Sequence, residues 1–246
     1  MSGHSKWATI KHKKGAADAK RGQIFTKLIK EISIAARMGG GDQDTNARLR
    51  TAILKARAAN MPKDNVERAI KKGTGELEGS NYEELSYEAY APGGIALLIE
   101  VLTDNKNRAA ADVRNLLTRA GGSLATSGAV SRLFKRKGII TFDGEKYTED
   151  QIMEAALEGG AEDVASNDGI VEVTTAPEDF EAVLNALNAK SFESMSAEIN
   201  MIPDAEVDLD KDAAGKAMKL VDKLEENEDV QNVYHNIGLP DDYEAE

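Results

Sequence analysis

The chain has no cysteine in 246 residues. That excludes a disulfide framework, a thiolate nucleophile and a cysteine-ligated zinc site. Histidine is nearly as scarce. His4, His12 and His235 stand at no metal-ligand spacing from one another, and no HExxH pattern occurs. No apolar run approaches the roughly 18 residues of a membrane span. The N-terminus also lacks the apolar stretch of a signal peptide. The glycine clusters Gly39–Gly41 and Gly93-Gly94 match neither a phosphate-binding loop nor a dinucleotide fingerprint. No Gly-x-Ser-x-Gly elbow or triad order appears. Asp204, Glu206, Asp208 and Asp210 alternate along the chain without the central glycine and distal glutamate of a calcium loop. They read as a solvated acidic face that repels nucleic acid. The sequence therefore points to a cytoplasmic, non-enzymatic protein with no cofactor, no metal, no membrane and no small-molecule substrate.

What is present is a charge reversal. The formal net charge is −12. Residues 1–75 nevertheless hold 17 Lys/Arg against 6 Asp/Glu, and the other 171 hold 14 against 37. The first thirty alone carry eight cations and one acid, Asp18. A positive field that survives an acidic whole suggests a polyanionic partner, nucleic acid or a ribonucleoprotein surface.

The hydrophobic pattern divides the chain into an α+β multi-domain protein. Phe25, Leu28, Ile29, Ile32 and Ala36 recur at helical spacing between Asp18 and Met38, and Lys20, Lys27 and Lys30 fall on the other side. Asp44 or Thr45 offers a cap for a second helix with Leu49, Ala52, Ile53 and Ala56 inward. Pro62 suits the first turn of a third helix, with Val66 and Ile70 inward, and Gly73 stops it. These make a three-helix bundle whose outer faces carry Arg48, Arg50, Lys55, Arg57, Lys63, Arg68, Lys71 and Lys72. Beyond a polar linker the period changes to that of strands. Leu85–Ala91 and Ile95–Thr103 predict a hairpin, and residues 108–120 a helix. A second hairpin is expected around Lys135-Arg136-Lys137-Gly138. Helices follow at 149–158, 178–188 and 213–225, and strands at 169–175, 195–201 and 230–235.

Ile99-Glu100-Val101-Leu102-Thr103 is echoed by Val171-Glu172-Val173-Thr174-Thr175, each leading into a helix. The echo suggests two related, small antiparallel α+β units of ferredoxin-like type. Strands 195–201 and 230–235 are expected to complete the first sheet. The expected domains are 1–78 for the basic arm and helical bundle, 79–128 with 200–246 for a discontinuous α+β domain, and 129–199 for an inserted one.

The candidate binding residues are Lys6, Trp7, Lys11, His12, Lys13, Lys14, Lys20, Arg21 and Lys27. Cations neutralise phosphates, and Trp7, the single tryptophan, offers a face on which a base can stack. The alternative place for Trp7 is against the bundle. Lys135-Arg136-Lys137 would be a second contact at a hairpin tip, although turns are usually polar. Arg108, Arg114 and Arg119 read as the solvated side of one helix. The second helix lacks a base-reading face of Asn, Gln and Arg. Backbone contact and shape are thus favoured over sequence reading, which suits structured RNA as well as an operator.

Ser2-Gly3-His4-Ser5-Lys6-Trp7, Lys11-His12-Lys13-Lys14 and Asp18-Ala19-Lys20-Arg21-Gly22-Gln23-Ile24-Phe25-Thr26-Lys27 closely resemble the opening of the YebC/PmpR family. So do Gly39-Gly40-Gly41-Asp42, Tyr90-Ala91-Pro92-Gly93-Gly94, Thr103-Asp104-Asn105-Lys106-Asn107-Arg108, Gly159-Gly160-Ala161-Glu162-Asp163 and Val233-Tyr234-His235-Asn236. The resemblance runs through the whole chain in order. It implies a helical bundle followed by two α+β domains, the third inserted in the second. It also implies a DNA-binding transcriptional regulator whose basic opening meets nucleic acid. A mitochondrial relative, the translational activator of cytochrome c oxidase subunit I, and ribosome-associated relatives that assist at proline-rich stretches imply the other reading. In that reading the chain is a translation factor that binds ribosomal or transfer RNA. The opening motif starts at residue 2, which is expected to leave no room for a mitochondrial transit peptide.

Overall fold

The computed structural model describes residues 21–79, 81–167, 169–240 and 243, with Arg21 described by its backbone alone. The first three helices are α1 (Arg21–Gly39), α2 (Ala47–Ala58) and α3 (Lys63–Gly73). Their shared core contains Ile32, Ala35, Ala36, Leu49, Ala52, Ile53, Ala56, Val66 and Ala69, with Phe25, Leu28 and Ile29 packed at its edge. The apolar stripe expected on α1 is thus the one that is buried.

The turn between α1 and α2 is set by Asn46 and not by Asp44 or Thr45. Asn46 Oδ1 accepts from the Leu49 N–H at 3.0 Å, which caps α2. Its Nδ2 donates to the carbonyls of Ala35 and Gly40, each at 2.8 Å. An aspartate or threonine at the cap offers the acceptor but not both donors. The amide satisfies the open ends of two helices at once. Pro62 is the cap residue before α3 rather than its first residue. Gly73 lies inside α3, and a Cβ there would stand 2.2 Å from the Ser33 carbonyl oxygen, so α1 and α3 meet backbone to backbone. Gly75, at φ +82°, makes the left-handed turn that follows.

The rest of the chain builds two four-stranded antiparallel sheets. The first combines β1 (Glu83–Ala91), β2 (Ile95–Thr103), β3 (Ser123–Leu124) and β9 (Val230–His235) in the order β3-β1-β2-β9. Helices α4 (Lys106–Arg119) and α7 (Lys211–Glu225) cover one face, where Ile95, Leu97, Ile99 and Val101 meet Val113, Leu117, Met218, Val221 and Leu224. The second combines β4 (Phe134–Asp143), β5 (Asp163–Asn167), β6 (Ile170–Thr175) and β7 (Ser196–Pro203) in the order β5-β6-β4-β7. Helices α5 (Glu149–Glu158) and α6 (Phe180–Ala189) pack on it through Ile152, Ala156, Val183 and Leu187. A short parallel pair, β8 (Val207–Asp208) with β10 (Ile237–Gly238), ties the end of the chain to the segment before α7.

Two expectations are corrected. Strand 196–203 does not join the first sheet. It pairs with β4 from Phe134↔Pro203 to Thr141↔Ser196, so it crosses the boundary expected at 199/200. Only 230–235 returns to the first sheet, beside β2. Nor do Lys135, Arg136 and Lys137 form a hairpin tip. They lie inside β4, held extended by β7 over residues 134–141 while β6 pairs with 138–143. A polar run with glycine reads as a turn, but ladder pairing overrides the local preference.

The two sheets meet through Ala96 and Leu98 of β2 with Val130 and Phe134, edged by Leu133, Met201 and Tyr234. The segment joining them is anchored by Glu88, only 9% exposed. Its carboxylate accepts from the backbone N–H groups of Gly128 (2.8 Å), Val130 (2.5 Å) and Ser131 (2.9 Å). Burial alone would raise its pKa, but these donors outweigh burial and hold it below the ordinary carboxylate value.

Candidate nucleic-acid interface

Lys6, Trp7, Lys11, His12, Lys13, Lys14 and Lys20 lie outside the described residues, as does the side chain of Arg21. Of the sequence-predicted site residues, Lys27 is the one whose side chain the structure describes. Its Nζ donates to the Glu225 carbonyl at 2.6 Å. Four residues earlier, Gln23 Nε2 donates to the Glu226 carbonyl at 3.3 Å. Both acceptors end α7, where unpaired carbonyls and the negative end of the helix dipole attract cations. The first turns of α1, from which the basic arm leads off, are therefore docked on the end of α7.

One turn further along α1 the contact becomes buried. Lys30, which the hydrophobic pattern sets on the solvent side, is 6% exposed. Its ammonium donates to Asp229 Oδ1 at 2.7 Å and to the Glu228 carbonyl at 2.8 Å. It also stands 5.7 Å from the centre of the Tyr82 ring. Arg108 approaches the same carboxylate from α4, its Nη2 2.8 Å and its Nε 3.2 Å from Asp229 Oδ2. Burial would raise the Asp229 pKa, yet the hydrogen bonds from Lys30 and Arg108 bring it below its ordinary value. The side of α1 opposite its apolar stripe is thus an interface with the α+β body. A lysine at a helical position away from the stripe gives no sign in sequence that a buried aspartate 199 residues later receives it.

The outer cations of the bundle fall into two sets. Arg48 is held by Glu31 and Glu84, Arg50 by Glu181, Lys55 by Glu198 and Lys63 by Glu67. Arg37 donates to the Tyr82 carbonyl. Arg57, Arg68, Lys71 and Lys72 are exposed and make no ion pair with a described residue. Arg68, Lys71 and Lys72 follow i, i+3, i+4 spacing and share one side of α3. Arg48, Arg50 and Lys55 all lie on α2, and each reaches an acid outside that helix, so α2 does not present these side chains as a free reading face.

Elsewhere, Lys135 pairs with Asp204 and Lys137 with Glu162, while Arg136 is exposed. Arg108, Arg114 and Arg119 are all exposed on α4 as expected, and Arg108 in addition pairs with Asp104 and Asp229. Among the described residues no group of three His, Asp or Glu side chains is placed to hold a metal ion. No described helix is long and apolar enough to cross a membrane.

Residues 5–76 match the family described as the TACO1/YebC protein N-terminal domain, and residues 82–237 match its second and third domains. The chain belongs to the TACO1/YebC family. A "probable transcriptional regulatory protein" of Treponema denticola is 66% identical over 99% of each chain. One of Borreliella burgdorferi is 57% identical over 98% of this chain and 99% of its own. The crystal structure of a conserved hypothetical protein from Aquifex aeolicus superposes with a TM-score of 0.84 at 45% identity, covering 92% of this chain and 93% of that one. Against these TACO1/YebC relatives the family expectation drawn from the opening motifs stands. The names of the Treponema and Borreliella relatives carry transcriptional regulation.

Proposed function

We propose that this member of the TACO1/YebC family is a non-enzymatic, cytoplasmic regulator that binds nucleic acid, with transcriptional regulation on DNA as the leading reading. The observation that carries it is the partition of charge. The basic excess of residues 1–75 stands against an acidic remainder. On the described bundle Lys30, Arg48, Arg50 and Lys55 are paired with acids of the body, Lys63 with Glu67, and Lys27 and Arg37 with carbonyls, which leaves the arm together with Arg57, Arg68, Lys71 and Lys72 as available phosphate contacts. The acidic remainder disfavours any approach of a polyanion from the other side.

A second reading is favoured by the state of α2. Its cations Arg48, Arg50 and Lys55 are occupied by Glu31, Glu84, Glu181 and Glu198. Contact with phosphate and shape, rather than with base edges, then suits ribosomal or transfer RNA and a role in translation.

The experiment is a paired one. Sequence-selective retention of promoter duplexes at physiological salt, with no co-sedimentation with ribosomes, supports the transcriptional reading. Ribosome association that dissolves as salt rises, with duplex binding indifferent to sequence, supports the translational one. Absence of both overturns the nucleic-acid function.

A further inference from the structure

Between its cations, the face of α2 turned away from the bundle core is bare. Ala47, Thr51, Leu54 and Ala58 recur at i, i+4, i+7 and i+11, and all four are exposed, Leu54 at 55%. On the helical wheel Arg50 and Arg57 border this strip on one side, and Arg48 and Lys55 on the other. Two of these cations reach the unit built on the second sheet. Arg50 Nη2 is 2.8 Å from Glu181 Oε1 at the start of α6, and Lys55 Nζ is 3.1 Å from Glu198 Oε1 on β7. Arg48 is held within the bundle by Glu31 as well as by Glu84 of β1.

The two pairs span a gap and not a packed interface. Among the described residues no cluster of buried apolar side chains has members from both the bundle and the second-sheet unit. The four paired side chains are 32–60% exposed. Exposed pairs are weak and are screened by salt. An interface without apolar area leaves its two sides free to move apart. The bundle is fastened differently to the first-sheet unit, through the buried Lys30–Asp229 pair. A strong contact on one side and a weak ionic one on the other make a hinge with a latch. The acids of the latch hold their cations as phosphates would, since a guanidinium takes carboxylate and phosphate oxygens in the same geometry.

We infer that Glu181 and Glu198 mask a second phosphate-binding surface on α2, carried by Arg50, Lys55 and Arg57, and that a nucleic-acid backbone displaces the two glutamates and opens the bundle from the second-sheet unit about the Lys30–Asp229 contact. The inference rests on the nucleic-acid reading of the basic arm and adds a closed state of lower affinity to it. A ligand shifts such an equilibrium only by binding the open form better. The freed cations supply that difference, and the arm brings the backbone to them at high effective concentration.

The test measures opening and binding together on the full chain. The protein has no cysteine, so Asp64→Cys on α3 and Asn188→Cys on α6, both exposed, take spin labels at two defined positions. Pulsed electron resonance gives the distance between them. An RNA hairpin and a DNA duplex are the probes. The distance is expected to lengthen when either probe binds, and to lengthen without a probe in Glu181→Gln with Glu198→Gln. That variant should bind about three- to tenfold more tightly than Asp150→Asn with Glu154→Gln, which removes the same charge from exposed positions on α5. Arg50→Gln with Lys55→Gln should reduce the slope of log affinity against log salt by about 1–2 units, which a merely structural pair would leave unmoved. Binding with an unchanged distance, an unchanged salt slope, or equal affinity of the two neutralised variants overturns the inference and leaves the arm as the binding element. Failure of the parent to bind either probe overturns the nucleic-acid reading and this inference with it.

Discussion

The Lys30 ammonium lies 2.7 Å from Asp229 Oδ1 with both side chains less than one-tenth exposed, and this pair fastens the helical bundle to the α+β body. Arg108 completes the site from α4. A charge pair removed from water is held by its geometry, and removing one member leaves the other buried and uncompensated. Asp229→Asn strands the buried Lys30 ammonium, while Arg108, half exposed, keeps Asp104, and the change is expected to cost about 3–5 kcal/mol in denaturant unfolding. Lys30→Met leaves Asp229 with Arg108 and is expected to cost less. The reverse ranking would show that Arg108 does not share the carboxylate. Because the Asp229 pKa is lowered, its contribution is present above its ordinary value of 3.8 and is lost as pH falls through the folded value.

Glu172 gives the opposite sign. Burial first, then the charge of Asp163, raises its pKa from 4.5 to about 7. The folded state therefore holds this proton more tightly than the unfolded state, and stability falls as pH rises from 4.5 to about 7. Glu172→Gln removes that dependence. The variant is expected to exceed the parent by up to about 3 kcal/mol at pH 8, with the difference vanishing near pH 4. Parallel unfolding curves at all pH values would contradict a buried, uncompensated carboxyl.

Glu88 holds the joining segment by three backbone donors. Glu88→Gln turns an amide N–H2 toward groups that themselves donate, and about 1–3 kcal/mol of stability is expected to be lost. Hydrogen exchange locates the effect. The amides of Gly128, Val130 and Ser131 should lose protection first, while those of β2 stay protected. Uniform loss along the chain would mean that Glu88 does more than anchor this segment.

Much of the architecture was legible because burial follows period. The α1 stripe, the β1–β2 hairpin around Pro92-Gly93-Gly94, and helix 149–158 follow from alternation and spacing alone. What was not legible depends on partners far along the chain. Lys30 looks like any solvated lysine until Asp229 is brought to it. Lys135-Arg136-Lys137 looks like a turn until β7 pairs beside it. Asn46 is hidden among Asp44 and Thr45, equally good cap residues, and only the two carbonyls it also serves distinguish it. The echo of Glu100 in Glu172 was visible, but not that Glu100 Oε2 finds donors while Glu172 Oε2 has none among the described residues. The arm was read from charge and from its tryptophan, and most of it lies outside the described residues.

Trp7 is the only tryptophan, so intrinsic fluorescence reports that position alone. Addition of single-stranded or structured RNA is expected to quench it, and salt to reverse the quenching. Trp7→Ala is expected to cost about 1–3 kcal/mol of binding if the indole stacks on a base. Emission indifferent to nucleic acid would remove Trp7 from the contact.

The most direct test of the account is charge reversal of Lys11, Lys13 and Lys14 to Glu in the full chain, measured by nucleic-acid affinity across a salt series. Arg114→Glu with Arg119→Glu on α4 serves as the control. Loss of three phosphate contacts is expected to weaken binding strongly and to flatten the slope of log affinity against log salt by about 2–3 units. The thermal midpoint is expected to stay nearly unchanged if these lysines serve the polyanion and not the fold. The α4 control should bind as the parent does. Undiminished affinity and an unchanged salt slope in the arm variant, for both DNA and RNA, would contradict the claim that the arm holds the polyanion.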